Sequence, residues 1–355
     1  MNRDSFTYSG SPSRVVFGFG SVGRLTEEVD RLGVKKVLIL STPNQVGDAE
    51  RLREILGRRA VGVYDGAVMH VPIETAREAR RMAAELGADC AIAIGGGSTI
   101  GLGKAIALDS RLPIVAIPTT YAGSEMTPIY GLTENGVKKT GRDFRVLPKV
   151  VLYDPDLSVG LPPAVSIPSG INAIAHAAEA LYAFDGNSVT SLMAEEGIRA
   201  MASALDTLRD DPRSRTAHWD AMYATWLCGS VLGQVSMGLH HKLCHTLGGS
   251  FDLPHAQTHA IMLPHTMAYN SEAATEAMEG LSRALGVGNG PQGLYDLLLR
   301  LGVPTALRQI GMPAGGLDQV AELAMSAPYP NPRPLKHEGI RALLQRAFDG
   351  APPVA

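Results

Sequence analysis

The sequence predicts an α/β nucleotide-binding domain built on a parallel sheet, followed by an all-α C-terminal domain. Three observations carry that expectation. Between about Gly33 and Pro155, short β-branched apolar runs alternate with amphipathic stretches, as in parallel strands joined by crossover helices. Three consecutive glycines, Gly95, Gly96 and Gly97, stand between one such run and a helix-like segment. Beyond Pro163 strand-like runs disappear, and Ala, Met, Leu and Glu fill stretches such as VTSLMAEEGIRAMASALDTL. The boundary is drawn to give domains 1–158 and 159–355.

In chain order, VKKVLIL, VGVYDGA, CAIAIGG, PIVAIPT and PKVVLYDP read as strands. AERLREILGRRA and PIETAREARRMAAELGA carry apolar residues at three- and four-residue spacing and read as helices, the second with Pro72 in its first turn. The Asn-Gly pair in GLTENGVKKTG predicts a hairpin ahead of the last strand. Near the start, VVFGFGSVGRL puts Gly18 and Gly20 before a helix beginning at Ser21 or Val22. No internal repeat or long linker interrupts the chain, so the two domains are expected to pack with a cleft between them.

With 355 residues, 45% hydrophobic and 19% charged, the chain can bury a full core, which excludes disordered and fibrous classes. Lys and Arg number 32 against 35 Asp and Glu, leaving a net charge of -3 and no electrostatic footprint for nucleic acid or an anionic membrane. The N-terminus MNRDSFTYSGSPSR lacks the apolar core of a signal peptide, and no later stretch approaches a membrane span, so a soluble cytoplasmic protein is expected. Cys90, Cys228 and Cys244 are odd in number and lack metal-ligand spacing, so they read as buried reduced thiols.

Two groups of residues carry chemistry. In AIAIGGGSTIGLGKAIAL the triplet precedes a helix that Ser98 or Thr99 is expected to cap, and backbone N–H groups there suit a pyrophosphate. The spacing is not GxGxxG, and a ligand-free tight turn is the competing reading. In IPTTYAGSEMTPIYG, Thr119, Thr120, Ser124 and Thr127 follow a strand end, where doubly wound sheets bind ligands. The second group is histidines. Asn172 and His176, and likewise His241 and His245, are i,i+4 pairs, and His255 follows after a helix break expected at Gly248 and Gly249. Taken singly, His70, His240, His259 and His265 read as core or surface residues.

The order FGFGS, YDGAVMHVP, GGGSTIGLGKAIA, TTYAGSEMT and YDPDL resembles the iron-containing alcohol dehydrogenase superfamily, of dehydroquinate-synthase-like architecture. The resemblance implies NAD(P) with its pyrophosphate on Gly95, Gly96, Gly97 and Ser98, close to Thr119, Thr120 and Ser124. Where relatives hold the adenosine ribose with an acidic residue, this chain has Ser41 and Thr42, which implies acceptance of both NADH and NADPH. The family's metal is held by one Asp and three His at the positions of Asn172, His176, His241 and His255. Asparagine removes the anionic ligand and disfavours a hard dication, so no metal is expected, although three histidines hold zinc in some enzymes.

That departure, with TTYAGSEMTPIYG, YDGAVMHVP and YPNPRPL, is similar to the maleylacetate reductase branch, which reduces a carbon–carbon double bond to give 3-oxoadipate in aromatic compound degradation. The likeness implies His176, His241, His245 and His255 as catalytic groups and a small dicarboxylate substrate bound by Asn172, Tyr121 and Lys242. Lys139, Arg145 and Arg333 are further cationic candidates, and a homodimer is expected. The alternatives are a metal-dependent alcohol dehydrogenase, a lyase using NAD without net turnover, and a nucleotide-binding regulatory module. A missing Lys/Arg phosphate cluster argues against the lyase, and converging histidines have no use in the module.

Overall fold

A computed structural model describes residues 6, 8, 10, 13–134 and 137–355. The chain divides into an α/β unit, Ser11–Leu161, and a helical unit that includes Pro162–Ala355. The α/β unit runs β1 (Arg14–Phe17), α1 (Leu25–Leu32), β2 (Val37–Leu40), α2 (Val46–Leu56), β3 (Ala60–Tyr64), α3 (Ile73–Glu85), β4 (Cys90–Gly95), α4 (Gly97–Ser110), β5 (Ile114–Pro118), the hairpin strands β6 (Ile129–Glu134) and β7 (Val137–Arg142), and β8 (Val150–Tyr153). Six strands form one parallel sheet in the order β1-β8-β5-β4-β2-β3.

The central strands β2, β4, β5 and β8 are buried along their whole length, which is why they read as unbroken apolar runs rather than alternating ones. Helix α4 is apolar on nearly every side because it lies inside the unit, Ile100 and Leu102 to Ala107 all being buried. Gly103 lets it approach the sheet: a Cβ there would sit 3.5 Å from Ala93 and 3.6 Å from Leu40. The antiparallel hairpin β6–β7 is present, whereas its Asn-Gly turn lies outside the described residues.

Four local expectations need correction. The strand β1 was not anticipated; four residues at a sheet edge are too few for a periodic signal, and its hydrogen bonds go to β8, which is remote in sequence. Helix α2 stops at Leu56 because Gly57 takes φ +55 and Ala60 already belongs to β3. Ser21 opens a 3-10 turn ahead of α1 rather than the helix itself. Helix α4 is capped by neither Ser98 nor Thr99: Gly96 is its N-cap residue, and no side chain caps it.

The helical unit comprises α5 (Pro163–Ala180), α6 (Ser188–Asp210), α7 (Arg215–Gln234), α8 (Leu239–Phe251), α9 (His255–Asn270), α10 (Thr275–Leu285), α11 (Gly290–Leu301), α12 (Leu317–Met325) and α13 (His337–Asp349). Its centre is α5, buried from Ser166 to Ala180 and packed on α6, α7 and α9. An alanine-rich sequence permits this, and Gly170 brings α6 closest, a Cβ there falling 2.7 Å from Leu205. Helix α8 runs unbroken through Gly248 and Gly249 and ends at Asp252, whose φ of +52 reverses the chain. Intrahelical hydrogen bonding outweighs the roughly 1 kcal/mol that each glycine costs. Among the described residues no helix is long and apolar enough to cross a membrane.

One buried cation organises the loop after β5. Lys104, fully buried on α4, donates to the carbonyls of Ser124 (2.6 Å) and Ile129 (2.7 Å) and to the Thr127 hydroxyl (2.9 Å). Burial lowers its pKa to about 7 and raises that of neighbouring Glu125 to about 7. With the Ser124 hydroxyl at 3.2 Å, four acceptors lie within bonding distance, which favours the ammonium form, since a neutral amine has only two protons to give. Lys104→Met should therefore lower the unfolding free energy by about 3 kcal/mol, on the scale of stranding two or three buried acceptors. Urea denaturation checks this; a loss below about 0.5 kcal/mol would show that the loop is held by other contacts.

Candidate functional site

In the α/β unit the residues expected to hold a nucleotide gather at the C-terminal ends of β2, β4 and β5. Gly95 takes φ +149, and a Cβ on it would lie 2.5 Å from Thr99 Oγ1 and 2.8 Å from Gln45 Oε1. A Cβ on Gly96 would lie 3.0 Å from Thr120. Side chains are thus kept off this turn, and the N-terminus of α4 presents backbone N–H groups with no competing cap. Gln45, which sequence reasoning missed, ties the three strand ends together: its amide donates to Thr119 (2.8 Å) and its oxygen accepts from Thr42 (3.3 Å). Ser98, next to Gly97, and Thr120, against Gly96, are partly exposed. The geometry and the uncapped helix end fit a dinucleotide pyrophosphate.

Three expected site residues are taken up inside the unit instead. Ser41 is fully buried with its hydroxyl unpartnered, so of the pair only Thr42 is at the surface. Tyr121 is buried with its phenol hydrogen-bonded to Ser158, which corrects its expected role on a substrate. Ser124 is engaged by Lys104.

In the helical unit, α5, α8 and α9 bring six histidines together. A buried carboxylate, Glu179 on α5, sets their arrangement. It accepts from the backbone N–H groups of His240 (2.7 Å) and His241 (3.3 Å) at the start of α8, where Gly238 offers no cap, and from His241 Nδ1. A carboxylate only accepts, so His241 carries its proton on Nδ1 and turns a lone pair at Nε2 to His176 Nδ1, 2.9 Å away. His176 must then donate from Nδ1, leaving Nε2 to accept from the Asn172 amide at 3.1 Å. The hydrogen bonds run in one direction from Asn172 to Glu179.

The second surprise is His259. Its ring lies 4.4 Å from that of His255, 4.9 Å from His240, 5.0 Å from His241, 5.9 Å from His176 and 6.4 Å from His245. It is the hub, although read singly it looked like an ordinary core residue. The clue was its i,i+4 spacing from His255 on α9, the same relation used for His241 and His245 on α8. Burial depresses the pKa of both His240 and His259 well below the usual imidazole range, helped by the neighbouring rings. His245, at the rim, is exposed, and His255 is half-buried.

The family's metal positions do not fit a hard dication here. Asn172 supplies no carboxylate, and the facing nitrogens of Asn172, His176 and His241 are bonded to one another. His255 approaches that string through His259. Of the other cationic candidates, Lys139 pairs with Glu134, Arg145 with Asp143, and Arg333 donates to the Tyr269 carbonyl while lying 4.5 Å over its ring. Lys242 on α8 is half-buried and forms no ion pair among the described residues.

Glu179 was missed because a lone acidic residue in an apolar helix has no local signature, yet it sits seven residues after Asn172 and three after His176, on one helix face. Glu179→Leu should cost about 3 kcal/mol in urea unfolding, because buried N–H donors lose their acceptor. Glu179→Gln, which keeps an acceptor oxygen, should cost less than half of that. Equal losses for the two variants would show that the acceptor is not what matters.

Comparison with known proteins identifies the family. The model of the iron-containing alcohol dehydrogenase family matches residues 12–155, and the C-terminal model of the same family matches residues 166–348. The chain is 61% identical over 350 residues to a maleylacetate reductase from Burkholderia cepacia, covering 99% of each. It superposes on the crystal structure of maleylacetate reductase from Agrobacterium tumefaciens with a TM-score of 0.96 at 54% identity, covering 99% of this chain and 100% of the other. A 1,3-propanediol oxidoreductase of 27% identity, covering 97% of this chain and 100% of the other, superposes with a TM-score of 0.90. The chain belongs to the iron-containing alcohol dehydrogenase family.

Proposed function

We propose that the chain reduces the carbon–carbon double bond of maleylacetate to 3-oxoadipate, with NADH or NADPH as reductant and without a metal. One observation carries the reading: the family's ligating carboxylate is replaced by Asn172, whose amide donates to His176 in a hydrogen-bonded string ending on Glu179. The high identity to proteins named maleylacetate reductase supports the substrate.

Reduced nicotinamide, when bound, supplies the hydride. Addition β to the substrate ketone develops negative charge on the ketone oxygen, which needs hydrogen-bond donors, while the α-carbon needs a proton. Imidazole serves both needs. His245, at the exposed rim on the same face of α8 as His241, and His255 stacked beside it are assigned to the oxygen and the proton, while His241, whose Nδ1 proton is taken by Glu179 and whose Nε2 accepts from His176, holds the cluster in place with His176. Lys242, which forms no ion pair among the described residues, and Asn172 are assigned to the substrate's carboxylates. The gathering of Gly95, Gly96, Gly97 and Ser98 with Thr42, Thr119 and Thr120 supports the cofactor assignment, and Thr42 offers nothing that repels a 2′-phosphate. The protein is expected to act in the cytoplasm as a homodimer.

The deciding experiment mixes the protein with NADH and maleylacetate and follows loss of reduced cofactor. His245→Ala should lower kcat on the order of a hundredfold, the usual scale for removing one donor to a developing oxyanion. Dialysis against a chelator should leave turnover unchanged. No NADH oxidation with maleylacetate, but metal-dependent turnover of a primary alcohol, would reverse the assignment. Gly96→Val should raise the cofactor KM at least tenfold, because its side chain would meet Thr120 and cover the helix terminus. NADPH should work within about tenfold of NADH, or roughly 1.4 kcal/mol.

A further inference from the structure

Deeper in the helical unit than the string from Asn172 to Glu179 lies a second set of donors that the proposed reaction does not use. His240 and Cys244 are i,i+4 on α8, and His259 faces them from α9. One donor atom from each lies within 4.8 Å of the others, and the three residues are 0%, 1% and 0% exposed. His240 Nε2 is 2.9 Å from His259 Nδ1 and 3.8 Å from Cys244 Sγ. Tetrahedral zinc with ordinary bond lengths separates two imidazole nitrogens by about 3.3 Å and a nitrogen from a thiolate sulfur by about 3.6 Å. The two distances from His240 differ from these values by a few tenths of an ångström.

The protonation pattern also suits an ion. Thr266 donates its hydroxyl to the carbonyls of Met262 and Leu263, so it accepts from His240 Nδ1, leaving the His240 Nε2 lone pair facing inward. Such an outer hydrogen bond is the usual support of a ligating imidazole. His259 Nε2, fully buried, has no partner among the described residues.

We propose that His240, Cys244 and His259 form a binding site for a soft late-transition-metal ion of the zinc class, separate from the family's metal positions, whose occupancy inhibits the enzyme. The proton balance closes. The ion takes the place of the proton between His240 Nε2 and His259 Nδ1, that proton moves to the unpartnered His259 Nε2, and the Cys244 thiol releases its own proton to solvent as the sulfur–metal bond forms. No oxidant or reductant is consumed. The set has a mixed nitrogen and sulfur character that selects zinc, cobalt or copper over magnesium, calcium or iron in an oxygen-rich site. Exposed His245 and half-buried His255 lead ring by ring to His259, centroids 6.3 and 4.4 Å apart, and provide a path of nitrogen donors from the surface. Inhibition follows because His259 contacts the rings of His176, His241 and His255, and an ion would fix it; this consequence rests on the function proposed above.

The test titrates chelator-treated, full-length protein with Co²⁺. A thiolate-to-cobalt charge-transfer band should grow in and saturate at one ion per chain, and Zn²⁺ should displace it. Cys244→Ser should abolish the band and weaken binding at least tenfold, with Cys244→Ala as a second variant and circular dichroism to verify folding. In the maleylacetate assay, Zn²⁺ should inhibit the parent protein and leave the Cys244→Ser variant, whose basal turnover is unchanged, at least tenfold less sensitive. No charge-transfer band, a band that survives both variants, or equal zinc sensitivity in parent and variant would overturn the proposal. The cobalt spectrum is read without substrate, so a failure of the maleylacetate assignment leaves this outcome distinguishable.

Discussion

The helical unit depends on one buried acceptor, the Glu179 carboxylate. A helix start leaves N–H groups unsatisfied, and α8 begins after a glycine that cannot cap it. Glu179 reaches across from α5 and satisfies two of those groups while holding the His241 ring. The contact therefore places α8 on α5 and fixes a tautomer in the same stroke. Everything further along the string, from His241 to His176 to Asn172, takes its donor and acceptor roles from the fact that a carboxylate has no proton to give.

Charge balance explains why residue 172 matters so much. A second buried carboxylate at that position would put two anions on one short string of imidazoles, an arrangement that calls for a cation at its centre. With asparagine the string carries a single negative charge, and the His241 N–H and the backbone donors at the α8 N-terminus already stabilise it. The positive end of that helix adds to the effect. In the α/β unit the problem is posed in reverse: the Lys104 ammonium is buried among carbonyls and hydroxyls, with Glu125 nearby rather than in direct contact as its main acceptor. In both cases a buried charge crosslinks segments that apolar packing alone would leave free to slide.

Much of this was legible in the sequence because it follows local rules. Alternating apolar runs and amphipathic stretches yield the parallel sheet, the glycine triplet marks a turn that must stay bare, and the change of composition near Pro163 separates strands from helices. The pairs Asn172 with His176 and His241 with His245 are read correctly from helical spacing. What escaped depends on partners distant in sequence. The strand β1 exists because β8 pairs with it, Gln45 matters because β5 delivers Thr119 to it, and Glu179 matters because α8 starts beside it. Tyr121 misled in the opposite direction: the family likeness implied a substrate contact, but its phenol is buried on an internal partner, Ser158.

The crowding of six imidazoles has a physical consequence for any chemistry done there. Protonating several neighbouring rings would bring like charges within a few ångströms, and the interior rings would also lose hydration. The interior members, His240 and His259, are accordingly held neutral, each with one donor nitrogen and one acceptor nitrogen. A neutral ring can only take part in a directed network, so the direction imposed by Glu179 on one string, and by Thr266 on the other through His240, propagates without ambiguity. Solvent reaches the cluster at His245, the exposed member. Proton exchange with water therefore belongs at that rim, while the interior rings orient donors, and the gradient of burial from His245 through His255 to His259 separates the two tasks along a single set of stacked and edge-on rings.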